Sequence, residues 1–172
     1  MNNIKKKFVA FIASAVLMSN AALSVSACPC GANHNCKDKI HNNYPITGTS
    51  GTKDMKALGD TDSKNTKSSV YFYCTGAETG THLQVQVCAV ANGNTYYNKT
   101  LTSSGKDAKW VTVCKWQQLE IYNSVNEDGF SKCDLKVDHS GSKGKSYRYS
   151  FRWSPDTCPS YGSYPIADGV KA

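Results

Sequence analysis

Cys133, Leu135, Val137 and His139 alternate with Asp134, Lys136 and Asp138, so this stretch presents one mostly apolar face and one charged face. A period of two is the pattern of a half-buried strand. The alternation returns after Ser140-Gly141-Ser142-Lys143-Gly144, with Tyr147, Tyr149, Phe151 and Trp153 on one side and Arg148, Ser150 and Arg152 on the other. Two such runs joined by a short Gly/Ser segment predict an antiparallel hairpin. Its aromatic face requires an opposing sheet.

The upstream chain supplies candidates for that sheet. Ser69 to Cys74 is a continuous apolar run, read as a strand covered on both faces that breaks at Gly76. Leu83, Val85 and Val87 then alternate with Gln84 and Gln86. Asn92-Gly93 is a hairpin turn, since both residues tolerate positive φ, and Thr95 to Leu101 is the returning strand. Trp110, Thr112, Cys114 and Trp116 share one side of the next run, Leu119 to Val125 gives another, and Asn126 to Gly129 turns the chain. About seven short strands with almost no helical period predict an all-β fold, an antiparallel two-sheet β-sandwich.

Outside these runs the pattern weakens. Residues 42–69 are mostly Thr, Ser, Gly, Asp, Asn and Lys and read as a loop or loosely held arm, with a short helical turn over Asp54 to Leu58 stopped by Gly59. The predicted organisation is a leader over 1–27, a polar, irregular Cys-rich amino-terminal arm over 28–66, the sandwich over 67–156 and a Pro/Gly/Tyr tail over 157–172.

Lys5-Lys6-Lys7, the apolar run Phe8 to Met18 and the small residues Val25-Ser26-Ala27 form the three parts of a secretory signal peptide. Ser19-Asn20 interrupts the run too early for a spanning helix, and no later stretch is apolar enough to cross a bilayer. Of the formal charge of +7, three lysines leave with the leader, so the mature chain carries about +4. Its basic residues are scattered among Asp, Ser and Asn. That argues against a nucleic-acid partner and allows weak attraction to anionic walls or membranes.

All eight cysteines, Cys28, Cys30, Cys36, Cys74, Cys88, Cys114, Cys133 and Cys158, follow the proposed cut. An even number in an exported chain predicts a disulfide-stabilised fold, with on the order of a hundred possible connectivities. Cys28 and Cys30 are too close for an unstrained mutual bond. Val25-Ser26-Ala27-Cys28 also has the form of a lipobox, which would place a lipid anchor on Cys28. Lipidation leaves an odd cysteine count, and Pro29 follows the cysteine, so free secretion is the preferred reading and a surface lipoprotein the alternative.

Candidate chemistry is sparse. Cys28, Cys30, His34, Cys36 and His41 offer thiolate and imidazole ligands to a zinc or copper ion. Outside the cytoplasm, oxidation of such thiols is the commoner fate, so no metal and no cofactor are assigned. Asp138 and His139 are adjacent, but successive strand residues point to opposite faces and do not make an Asp-His couple. No Gly-x-Ser-x-Gly elbow accompanies His82 or His139. Glu78, Glu120 and Glu127 do not form a facing carboxylate pair of the kind glycoside hydrolysis needs. No catalytic residue is assigned. The remaining candidates are aromatics: Tyr96, Tyr97, Trp110, Trp116, Tyr161 and Tyr164 would form a ligand-facing strip for sugars or protein surfaces.

Asn123-Ser-Val-Asn-Glu-Asp-Gly-Phe-Ser131, the strand Cys133 to His139 and Phe151-Arg-Trp-Ser-Pro-Asp-Thr157 resemble a group of small secreted β-rich proteins of Gram-positive bacteria. Those proteins carry a Glu-x-Gly-aromatic-Ser turn and close on Trp-Ser-Pro-Asp-Ser/Thr. The resemblance spans Lys67 to Thr157 and departs from the group in the eight cysteines and the Cys-Pro-Cys arm. It implies an exported β-sandwich and contributes no activity and no site.

The reading as a whole is a non-enzymatic binding module, secreted or tethered at the cell surface, with an extracellular glycan, wall or protein ligand. A secreted antimicrobial or toxin-like protein is the second reading, favoured by small size and basic charge. An enzyme is the third.

Overall fold

The alternating stretches fold as strands, and several polar ones do too. The computed structural model describes residues 33–48, 55–92, 95–158, 160 and 162–171. The proposed leader and Cys28 and Cys30 lie outside the described residues. In chain order the strands are β1 (Lys39–Thr47), β2 (Lys56–Ala57), β3 (Asp62–Ser63), β4 (Val70–Ala77), β5 (Leu83–Ala91), β6 (Thr95–Asn98), β7 (Ala108–Val113), β8 (Gln118–Ile121), β9 (Lys132–His139), β10 (Ser146–Ser154) and β11 (Gly169–Lys171). They form a four-stranded sheet, in the order β1-β10-β4-β8, and a larger one in the order β11-β7-β5-β9-β2. In the larger sheet β6 also pairs with β5 and β3 with β9. Every strand pairing is antiparallel, so the fold is all-β with two sheets.

The sheets meet over one apolar core. The four-stranded sheet contributes Val70, Phe72, Tyr149, Phe151 and Trp153, and the larger sheet Leu83, Val85, Val87, Leu135 and Val137. Phe72 and Phe151 stack with ring centroids 5.4 Å apart. Burial of each such side chain stabilises the fold by roughly 1.5–3 kcal/mol relative to exposure.

The predicted hairpin of Cys133–His139 with Tyr147–Trp153 is corrected. β9 lies in the larger sheet, between β5 and the short β2 and β3, whereas β10 lies in the other sheet, between β1 and β4. Residues 140–145 therefore carry the chain across the sandwich. At this corner a Cβ on Gly141 would collide with the Tyr147 ring, and Gly144 holds φ +73°. The Gly141 amide donates to Nδ1 of His139 at 3.1 Å, which leaves Nε2 to donate to the Lys145 carbonyl at 3.0 Å. His139 is a buried corner residue, held by backbone on both ring nitrogens.

The polar stretch 42–69, read as a loop, supplies the end of β1 and all of β2 and β3. β1 is an edge strand with a bulge between His41 and Tyr44, where Asn43 takes φ +53°. Pro45 is tolerated there because an edge strand need not donate on its outer side. The helical turn over 54–58 is replaced at its described end by β2, which pairs Lys56 with Val137. In β7 Val111 and Val113 are buried, while Trp110 is only partly covered and Thr112 is exposed. The tail beyond Asp156 includes β11, paired with β7.

The Trp-Ser-Pro-Asp run is interior. Trp153 is fully buried in the core, and the Asp156 carboxylate meets the Lys64 ammonium at 2.5 Å, both side chains having no exposure. The same carboxylate accepts from the amides of Asn35, Asn65 and Thr66 and from the hydroxyls of Thr66 and Ser68. Lys64 also donates to the carbonyls of Thr66 and Ser68, each at 2.6 Å. A buried ion pair is tolerable when the remaining donors and acceptors are satisfied in this way.

Candidate functional site

The alternation that buries Phe72, Phe151 and Trp153 turns Tyr71, Tyr73 and Arg152 toward the outer face of the four-stranded sheet. On that face lies a cleft of about 440 Å³. β4 supplies Tyr71, β8 Gln118 and β10 Arg152 and Ser154; Cys36, Lys37 and Asp38 come from the stretch before β1, and Cys158 and Tyr164 from the segment after β10. Such a volume is in the range of small-ligand pockets.

Tyr164 is positioned by backbone. Its amide donates to the Glu120 carboxylate at 3.1 Å, and the amides of Glu120 and Ala167 bond Pro165 and Glu120 carbonyls at 2.9 and 2.8 Å, laying the segment along β8. The Tyr164 ring stands 5.2 Å from that of Tyr71, inclined at 50°, so the two make an angled wall. Gln118 donates its amide to the Tyr71 hydroxyl at 2.7 Å, which fixes that ring. Burial raises the Tyr71 phenol above its ordinary value, against the opposing effect of Arg152, so it is a neutral hydrogen-bonding group at neutral pH.

Arg152 is held over the Tyr73 ring, 5.2 Å from its centroid. Its Nε lies 3.5 Å from Asp38 Oδ2, an ion pair too long for a good hydrogen bond, and that nitrogen is buried without a hydrogen-bond partner. Burial raises the Asp38 carboxyl, with Arg152 opposing. The cleft thus offers two cations, one anion, two ring faces and neutral hydrogen-bonding groups.

Among the described residues, only Tyr164 of the predicted aromatics lines this cleft. Tyr96 and Tyr97 are on β6 of the other sheet. There the Tyr96 hydroxyl donates to Asp134 at 3.3 Å beneath the Lys136 ammonium, and Tyr97, 47% exposed, leans on Phe130. Trp110 is on β7 of that sheet, and Trp116, 64% exposed, follows β7 at φ +68° with Lys115 beside it. Tyr161 lies outside the described residues. The described side chains do not form a single strip, because Tyr164 lies by the four-stranded sheet and the others by the larger one. Sequence reasoning missed Asp38, Tyr71, Gln118 and Arg152. The available signal was the outward side of the β10 alternation, where Arg152 stands.

Of the candidate metal ligands, His41 meets Asp60 at 2.6 Å and stacks on Phe151 with ring centroids 4.7 Å apart. His34 has a buried Nδ1 without a hydrogen-bond partner, and Cys36 lines the cleft. Among the described residues no three His, Cys, Asp or Glu side chains are grouped to hold a metal ion. No helix among them is long and apolar enough to cross a membrane.

No two described cysteines lie at disulfide distance from each other. Burial pushes the Cys74 thiol up to about 11, the proximity of Cys114 adding to the rise. It pushes Cys88 and Cys133 up to about 12. Cys88 and Cys133 cannot pair readily. They are offset by one residue across β5 and β9, with Cys133 facing the core and Cys88 opposite Asp134.

Fold and site together define a two-sheet antiparallel β protein with a charged, aromatic cleft on one outer face. Residues 28–157 match the family described as "Protein of unknown function (DUF2712)", and the chain belongs to that family. The match takes in Asp38, Tyr71, Gln118 and Arg152 and stops short of Tyr164. No curated protein and no solved structure matches the chain.

Proposed function

We propose that this protein is an exported, non-enzymatic binding module that holds an extracellular ligand in the cleft on the four-stranded sheet. The observation that carries the reading is the cleft itself: strands from a rigid sheet and the segment fixed by Glu120 converge on Tyr71, Tyr164, Arg152 and Asp38. Rigid elements present a site with little ordering on binding. The signal-peptide pattern supports a location outside the cell, free or held by a lipid on Cys28. Intact mass of the mature protein separates these outcomes, since a diacylglycerol-sized increment on a chain beginning at Cys28 means tethering.

The test of binding is retention of the purified exported protein on cell-wall fragments and on a glycan array. Tyr164→Ala is expected to weaken retention by tenfold or more. Retention unchanged by Tyr164→Ala, or none by the unaltered protein, overturns the reading.

An exported chain meets oxidising conditions. Cys74 and Cys114 are the cross-sheet candidates, because the Trp116 amide donates to the Cys74 carbonyl at 2.7 Å and the Cys74 amide to Gln117 at 3.0 Å. Their oxidation joins β4 to the end of β7. The two thiols transfer two electrons to the disulfide of an exported thiol oxidoreductase, whose sulfurs take up the two protons. Peptide mapping without reduction is expected to recover a Cys74–Cys114 cross-linked peptide. Alkylation of both cysteines in the native exported protein would sink this assignment.

A further inference from the structure

The cleft carries an imbalance that identifies its ligand more closely, an inference that rests on the binding reading above. We propose that it takes a carboxylate-bearing saccharide, with the carboxylate on the Arg152 guanidinium and a sugar ring against the wall made by Tyr71 and Tyr164.

The Arg152 side chain is 40% exposed, with its Nε enclosed 3.5 Å from Asp38, so the part of the side chain left open to the cleft is what meets an incoming acceptor. Lys37 lines the same cleft and is exposed, so its two cations outnumber Asp38 and the cleft favours an anion. The guanidinium is a planar fork that fits a carboxylate through two parallel hydrogen bonds. A doubly charged phosphate would meet the Asp38 carboxylate beside that fork, which disfavours it against a singly charged, planar group.

The rest of the wall suits a sugar. Tyrosine rings bring apolar faces with a polar tip, which is what the C–H face and hydroxyl rim of a pyranose require. Tyr164 is half-buried and brings the ring face open to a ligand, while Tyr71, only 8% exposed, backs it at 5.2 Å and 50° and fixes the wall's position. Gln118 gives its amide hydrogen to Tyr71, so its carbonyl oxygen is left to accept from a ligand hydroxyl. A cleft of about 440 Å³ has room for one or two sugar units.

The experiment is calorimetric titration of the purified exported protein with trigalacturonic acid, with its carboxyl-reduced neutral counterpart and with glucose 6-phosphate. The acid is expected to bind at least tenfold more tightly than the neutral trisaccharide. Arg152→Gln is expected to erase that preference. Lys37→Gln, at an exposed position that does not threaten folding, is expected to reduce it severalfold. Equal affinity for acid and neutral sugars, or tighter binding of the sugar phosphate, overturns the inference and leaves a binding module of other specificity. No binding of any of the three while wall fragments are still retained overturns it in the same way. Failure of wall retention as well overturns the binding reading itself.

Discussion

At the scale of single residues, the pair Lys64 and Asp156 holds the most consequential chemistry of the interior. Removing one partner leaves the other charged and buried, which typically costs about 3–5 kcal/mol. Asp156→Asn is therefore expected to lower stability by that amount in urea unfolding. Joint replacement by Met and Leu is expected to recover most of it, because an apolar pair strands no charge. Burial raises the Asp156 carboxyl, but hydrogen bonding from Lys64 and the Asn35 amide outweighs it, and the net shift is downward. A carboxyl lowered by folding stabilises the native state above its unfolded value, and that contribution is lost as pH falls through the lowered one. The stability difference between the unaltered protein and Asp156→Asn should thus be full at neutral pH and shrink below about pH 4. Thermal melting across that range measures it. Asp134 has the opposite sign: burial raises it despite hydrogen bonds from the Leu135, Gly59 and Asp60 amides and from Tyr96, so its contribution is lost as pH rises through the raised value. None of this was legible in sequence. Lys64 sits in a polar run and its partner is 92 residues away.

At the scale of strands, periodicity shows which face a strand buries and is silent about its neighbours. Leu83, Val85 and Val87 face the core as their alternation predicts, and β5 and β6 pair antiparallel. β9 and β10 have the same quality of pattern, yet each is an inner strand whose partners come from distant parts of the chain. Both sets of β10 amides, those facing β1 and those facing β4, are expected to exchange slowly with deuterium; a free outer edge would leave one set fast. The corner between β9 and β10 makes a second demand. Gly141→Ala places a methyl group in the Tyr147 ring and is expected to destabilise by roughly 1–3 kcal/mol, read from the urea midpoint. β1 escaped the sequence pattern for a related reason: as a bulged edge strand containing Pro45 it has no strict alternation to detect. The cleft was partly legible for the same reason as the strands. Arg152 could be assigned to an outward face, but only the strand order brings it beside Tyr71 and Asp38.

At the scale of the molecule, two sheets held by one core leave the contact between β4 and the 114–117 turn as a natural place for a covalent tie. Closure of Cys74 with Cys114 is expected to raise stability by roughly 2–4 kcal/mol, lost on reduction and lost equally in Cys114→Ser. A reduced protein that melts at the same temperature as the oxidised one would remove that tie from the account.

The pairing of β1 with β10 carries a consequence in time. The edge of one sheet is made early in synthesis, and the strand that completes it, together with the carboxylate that receives Asn35 and Lys64, arrives more than ninety residues later. Pairings over such separations close slowly, because the loop entropy is lost before the contacts reward it. A nascent chain ending before Ser146 has no β10 to sit between β1 and β4, and its half-built core has nothing to commit to. On the proposed reading of an exported chain, the order of the strands would keep that state available until the last part of the chain has been made.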